Sequence, residues 1–186
     1  MTSTIERFRD YRSTHFSFLG TFFLRRGLSA NRMTFLGSLF GIGAVYFLFQ
    51  NYFLFLLFAL FHLLADGLDG IIARVSKPTR FGLYFDYLSD GLIAVLILIK
   101  IGWFISDYYA YIVAALAVLA QVIHVQSKMK APVLFTRTLT LVLVALYLPA
   151  LIPITTYILP LTYLTTGVAS LYSLARQLQW YISKRV

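Results

Sequence analysis

The sequence contains no cysteine, which excludes disulfides, thiolate metal sites and cysteine nucleophiles, and leaves oxygen and imidazole as the ligands for any metal. Charge is scarce: only 12% of the 186 residues are Asp, Glu, Lys or Arg, where an ordinary soluble domain has about 25%. Acid is scarcest, with seven Asp and Glu in all, and four of them (Asp66, Asp69, Asp86 and Asp90) fall in one stretch of 25 residues, "DGLDGIIARVSKPTRFGLYFDYLSD". Internal repeats and low-complexity tracts are also lacking. What fills the chain is hydrocarbon, 60% hydrophobic and 17% aromatic, the composition of a single membrane domain spanning residues 1–186. The net charge of +9 therefore reads as topology signals and contacts to anionic lipid flanking apolar spans, not as a nucleic-acid surface.

Apolar runs predict six spans, at about 33–50, 52–73, 81–105, 108–127, 133–152 and 155–181. Lys and Arg cluster at 7–32, 74–80, 128–137 and 176–185, whereas the connections near 51, 107 and 153 carry none; Lys100 alone breaks the alternation. By the positive-inside rule, both termini and the 74–80 and 128–132 loops face the cytoplasm, which requires an even number of spans. Before the first span, Ile5, Phe8, Tyr11, Phe16, Phe18, Leu19, Phe22 and Phe23 lie within roughly 160° of a helical wheel. Residues 1–28 thus suit an amphipathic helix lying in the interface or packed on the cytoplasmic ends of the spans, and residues 29–186 a six-helix bundle. The charged start and the lack of a small-residue cleavage site argue against a removable signal peptide. The expected fold is an all-α membrane protein of six transmembrane helices preceded by a juxtamembrane amphipathic helix. Gly37 and Gly41, with Gly43 close by, form a small-xxx-small pattern suited to helix packing, while Pro149, Pro153 and Pro160 shape the outer loop before the last span.

The acidic stretch raises the chemical question. Asp66 and Asp69 are three apart near the end of the second span, and Asp86 and Asp90 four apart at the start of the third, so each pair shares a helix face. A connection of a few residues makes antiparallel neighbours of the two helices, and the four carboxylates can then converge. One unpaired carboxylate costs about 2.5–3.5 kcal/mol at the centre of a membrane helix, so a cluster must be neutralised. Arg74, Lys77 and Arg80 could form a structural salt-bridge cluster, but they lie beyond the helix ends. Hard divalent cations such as Mg²⁺ or Mn²⁺ answer the problem more directly, and a pair of them can clamp both the attacking and the leaving oxygen of a displacement at phosphorus. His62, one turn before Asp66, is placed to support it from behind, with packing or a backbone hydrogen bond as the plainer alternative; His15 and His124 have no evident partner.

Asp66-x-x-Asp69-Gly70-x-x-Ala73-Arg74 followed by Gly82-x-x-x-Asp86-x-x-x-Asp90 resembles the signature of the CDP-alcohol phosphotransferases, integral membrane enzymes of phospholipid synthesis. All eight signature residues are present; seven residues separate Arg74 from Gly82, where many members have eight. Ser29-Ala30-Asn31-Arg32-Met33-Thr34 resembles the Pro-Asn-x-x-Thr start of the family's first span, with Ala30 in place of Pro. The resemblance implies six transmembrane helices, a homodimer, two divalent cations (Mg²⁺ or Mn²⁺) and transfer of a phosphoalcohol group from a CDP-linked donor to an acceptor hydroxyl with release of CMP. It implies Asp66, Asp69, Asp86 and Asp90 as metal ligands, Asp90 also as general base, and Asn31, Thr34, Asp69, Gly70, Ala73, Arg74 and Gly82 at the CDP site.

Arg80, Lys130, Arg137 and Arg176 are candidate contacts for the acceptor, because a phosphate on it would require cations; topology signalling is the plainer reading for Lys128 and Lys130. The expected donor is a CDP-activated lipid and the acceptor a small polar alcohol or alcohol phosphate. Two further readings stand beside this one: a divalent-cation transporter lined by intramembrane carboxylates, and the reversed transfer from CDP-choline or CDP-ethanolamine to a diglyceride. A catalytically silent relative is disfavoured by the intact carboxylates.

Overall fold

The computed structural model describes residues 17–76, 78–134, 136–147 and 157–184, and these are helical with short connections. Seven helices follow one another: α1 (17–25), α2 (Ala30–Phe47), α3 (Tyr52–Val75), α4 (Arg80–Ile105), α5 (Tyr108–Gln126), α6 (Arg137–Ala145) and α7 (Ile158–Ser183). Most of the expected amphipathic segment, from Met1 to Phe16, lies outside the described residues, as do Lys77, Pro149, Pro153 and Arg185. The described part, α1, packs on the end of α3: a Cβ on Gly20 would meet Ile71 and Val75.

Among the described residues, four helices, α3, α4, α5 and α7, are long and apolar enough to cross a membrane. Asn31 and Arg32 in the first turn of α2 lower the hydropathy of that helix. The nine residues of α6 cover about 14 Å, roughly half of a hydrocarbon core. That helix starts later than residue 133 because residues 131–134 run as non-helical chain past Pro132, a poor continuation for any helix, and the Leu134 amide is taken by Ser173 Oγ at 3.0 Å.

Polar residues at helix starts fix the element boundaries. Ser29, Asn51, Thr79 and Asp107 each accept from a backbone amide of the helix they precede, satisfying donors that have no partner inside the helix. Lys100, the residue that broke the charge alternation, serves the opposite end of a helix. Its Nζ donates to the carbonyls of Val45 and Tyr46, both at 2.6 Å, in the last turn of α2, where carbonyls are unpaired and a cation is favoured by the helix dipole.

α4 is the central helix of the core: Ile93, Ile97, Leu98 and Ile101 are fully buried with Phe55 of α3, Leu141 and Val144 of α6 and Leu159 of α7. α5 presents a stripe of small residues, Ala110, Ala114, Ala117 and Ala120, at helical spacing, and pairs with both α4 and α7. α3 and α4 bring their carboxylates together, as the short connection between them implies. α2 packs against both helices and α6 touches both, and the carboxylates and glycines of α3 and α4 bound a space.

Candidate active site

That space is where the aspartates point. Asp66, Asp69 and Asp86 each place a carboxylate oxygen within 4.8 Å of the others, and Asp90 lies one turn beyond Asp86 on the same face of α4. Asp69 is the most enclosed of the four, 5% exposed, and Thr34 of α2 donates its hydroxyl to Asp69 Oδ2 at 2.7 Å. Asp66 and Asp90 are bridged from α6: Arg137 Nη2 donates to Asp66 Oδ2 and Nη1 to Asp90 Oδ1, both at 2.7 Å.

Two cavities meet at this cluster and share Asp69, Gly70, Ala73, Pro78 and Asp86. The smaller, about 190 Å³, opens toward α2 and is bounded by Ser29, Ala30, Asn31, Thr34, Thr79 and Gly82. A Cβ on Gly82 would displace the tip of the Asn31 side chain, which lines the same cavity. The larger, about 570 Å³, runs past Asp66, Arg74, Asp90 and Arg137 to a wall built from Ala117, Ala120 and Gln121 of α5 and Ser170 and Ser173 of α7. Gly91, next to Asp90, leaves room for the Gln121 amide to lie across α4; a side chain at 91 would collide with it.

The candidate residues named from the sequence therefore divide. Asn31, Thr34, Asp69, Gly70, Ala73 and Gly82 line the smaller cavity, while Arg74, Arg137 and all four aspartates line the larger one, Asp69 and Asp86 serving both. Arg80, Lys130 and Arg176 line neither and are exposed. Arg176 faces out from α7 near its end and contacts Gln179 at 3.4 Å, so its charge does not have to be paid for by a partner in the bundle. His62 sits behind Arg137 instead of directly behind Asp66: its Nε2 is 3.4 Å from Arg137 Nη1 and its Nδ1 is 2.8 Å from the Gly37 carbonyl.

The residues sequence reasoning passed over are Gln121, Thr136, Thr138, Ser170 and Ser173. A signal for two of them is present in α7, where Thr162, Thr166, Ser170, Ser173 and Gln177 recur every three or four residues and are all buried. Such a polar stripe inside an apolar helix marks an inward face.

As donors, three clustered carboxylates form the hard oxygen set that suits Mg²⁺ or Mn²⁺. Four carboxylates outnumber the cations Arg74 and Arg137 two to one along the cavity wall, so the cluster has room in its charge as well as its geometry for divalent ions.

These features define a carboxylate-lined site inside a bundle of apolar helices. A family model for CDP-alcohol phosphatidyltransferases matches residues 28–169, and the chain belongs to that family. The matched segment spans α2 to α6 and the first part of α7, and includes the residues of both cavities except Ser170 and Ser173. No curated protein and no solved structure matches the chain.

Proposed function

We propose that the protein transfers a phosphatidyl-type group from a CDP-activated lipid to a small polar alcohol or alcohol phosphate, releasing CMP. The observation that carries this reading is the convergence of Asp66, Asp69 and Asp86 within 4.8 Å at the junction of two cavities, one suited to each substrate. The smaller cavity, with Asn31, Thr34 and Gly82, suits the cytidine nucleotide, and the larger, with Arg137, Gln121 and Ser170, suits the acceptor.

Asp66, Asp69 and Asp86 would hold two divalent cations together with Asp90. When bound, those ions neutralise the pyrophosphate and the charge that develops on its leaving oxygen. Arg74, on the shared wall, adds a fixed positive charge for the same phosphates. Asp90 takes the proton of the acceptor hydroxyl, the acceptor oxygen forms a bond to the lipid-bearing phosphorus, and the bond from that phosphorus to CMP breaks. Arg137, between Asp66 and Asp90, orients Asp90 toward the acceptor and offers a cation to a phosphate on it. Gly70 and Ala73 keep the wall of α3 low, so that the donor can reach the carboxylates.

We propose a six-span topology with the site and both termini cytoplasmic: the basic clusters at 7–32, 74–80, 128–137 and 176–185 call for an even number of spans, and six fits the apolar runs; we also propose the homodimer usual for the family. The transporter alternative needs a polar path to the opposite side. The charged groups there among the described residues, Lys100 and Asp107, are committed to helix ends and to Tyr163.

The test is CMP release by purified protein with Mg²⁺ or Mn²⁺ from CDP-diacylglycerol or a CDP-ether lipid, across glycerol phosphate, inositol, inositol phosphate and serine. Acceptor-dependent CMP release supports the reading. No release with any of them, or release only from CDP-choline with a diglyceride, contradicts it, and Mn²⁺ flux into liposomes without nucleotide supports a transporter.

A further inference from the structure

Among the described residues, His62 is the buried histidine beside the aspartate cluster, 2% exposed, and the mechanism above makes no use of it. Its environment is built for an imidazole. Gly41 of α2 leaves part of the space the ring occupies: a Cβ there would lie 3.2 Å from His62 Nδ1 as well as 2.8 Å from the Ile93 side chain. The glycine that serves helix packing is therefore also a notch beside His62.

The tautomer follows from its partners. Arginine carries only donors, so at 3.4 Å from Arg137 Nη1 the ring nitrogen Nε2 is the acceptor. The ring proton then resides on Nδ1, which donates to the Gly37 carbonyl at 2.8 Å. Arg137 Nη1 has two hydrogens; one goes to Asp90 Oδ1 at 2.7 Å and the other to His62, while Nη2 reaches Asp66 Oδ2. A continuous chain thus runs from the α2 backbone through His62 to the guanidinium, and from there to one carboxylate on α3 and one on α4. Arg137 opens the short helix α6, and Thr136, which precedes it, makes no side-chain cap, so its placement depends on what holds the guanidinium at its far end.

We propose that His62 is a positioning residue for the transfer reaction: as a neutral acceptor anchored to the Gly37 carbonyl, it fixes the Arg137 guanidinium so that Arg137 sets the orientation of Asp90 and the cation presented to the acceptor. The proposal rests on the function proposed above and assigns His62 to the acceptor half of the site, 25 residues in sequence from its anchor and 75 from the arginine it holds.

The experiment compares wild type with His62→Leu, which keeps apolar bulk and removes both ring nitrogens, and with His62→Gln, whose amide offers an acceptor and a donor. Each is also made in an Arg137→Met background. Kinetics of CMP release are measured against donor and acceptor separately, alongside the thermal shift produced by CDP with Mn²⁺. The expected result for His62→Leu is a loss of about tenfold in kcat/KM for the acceptor, with the CDP-induced shift unchanged and part of the activity regained in His62→Gln. In the Arg137→Met background the same substitution costs less than about twofold, because its target is already gone. Full activity in His62→Leu, equal losses toward donor and acceptor, or additive losses in the double variant would overturn the proposal. Should wild type release no CMP, the functional reading fails on its own, and wild type, His62→Leu, Arg137→Met and the double variant decide the positioning role by unfolding: melting-temperature losses for His62→Leu and Arg137→Met that are less than additive support the link, and additive losses overturn it.

Discussion

The Thr34 hydroxyl donates to Asp69 Oδ2 at 2.7 Å, with both residues buried, so α2 supplies the hydrogen bond that makes a carboxylate tolerable on α3. A hydrogen bond to a charged group in such surroundings contributes about 1.5–3 kcal/mol. Thr34→Val keeps the shape and removes the donor. The account expects CMP release to fall about tenfold or more and the midpoint of Mn²⁺ activation to rise, since Asp69 loses the contact that orients it. Unchanged Mn²⁺ dependence in this variant would mean that Asp69 needs no such support.

Two glycines beside opposite ends of α2 separate chemistry from packing. A methyl group at position 82 would meet the tip of the Asn31 side chain, whereas one at position 43 would meet the Phe58 ring. Asn31 can swing away at little cost in stability, so Gly82→Ala should leave the melting temperature near wild type and raise the KM for the CDP-lipid several-fold. Gly43→Ala wedges apart α2 and α3 and should cost about 1–3 kcal/mol of stability with KM unchanged. The pair is read out by thermal unfolding and donor kinetics on the same preparations.

The spacing of the four aspartates and the small residues between them made one shared face legible from the sequence, because helical period alone fixes which side chains look the same way. It could not say what stands opposite that face. The cation that bridges Asp66 and Asp90 comes from Arg137, 71 and 47 residues away. Arg137 and Arg176 looked alike in the sequence, each a charge inside an apolar run. The difference is rotational: one faces the bundle interior and the other its outside. Depth along a helix is readable from a sequence without relatives, but the face of a lone charged residue is not.

At the opposite end of the bundle, Tyr163 donates its hydroxyl to Asp107 Oδ2 at 2.5 Å, and Asp107 also accepts from the Tyr109 amide. The Tyr163 hydroxyl, and after it that amide, hold the Asp107 carboxyl below the usual carboxylate range. A depressed folded-state pKa stabilises the fold above the unfolded-state value of about 3.9 and ceases to do so as pH falls through the folded value. Tyr163→Phe should therefore lower the melting temperature by a constant amount between about pH 5 and 8, with the gap to wild type closing below about pH 4. A gap that instead varied across the neutral range would assign the effect to another group.

The Gln121 amide lies across Gly91 on the wall of the larger cavity. Gly91→Ala displaces the amide and Gln121→Ala removes it, so both should raise the KM for the acceptor several-fold while leaving the KM for the CDP-lipid unchanged. Steady-state kinetics with one substrate varied at a time checks this, and a change confined to the donor would reverse the assignment of the two cavities.

Equilibrium binding of Mn²⁺ in the presence of CDP tests the central claim most directly, because it reads the aspartate cluster without requiring the right acceptor. The account predicts saturable Mn²⁺ binding that CDP strengthens, and loss of that binding in Asp69→Asn and in Asp86→Asn with the fold retained. Wild-type protein that binds no Mn²⁺ with CDP present, or Asn variants that bind as well as wild type, would contradict it.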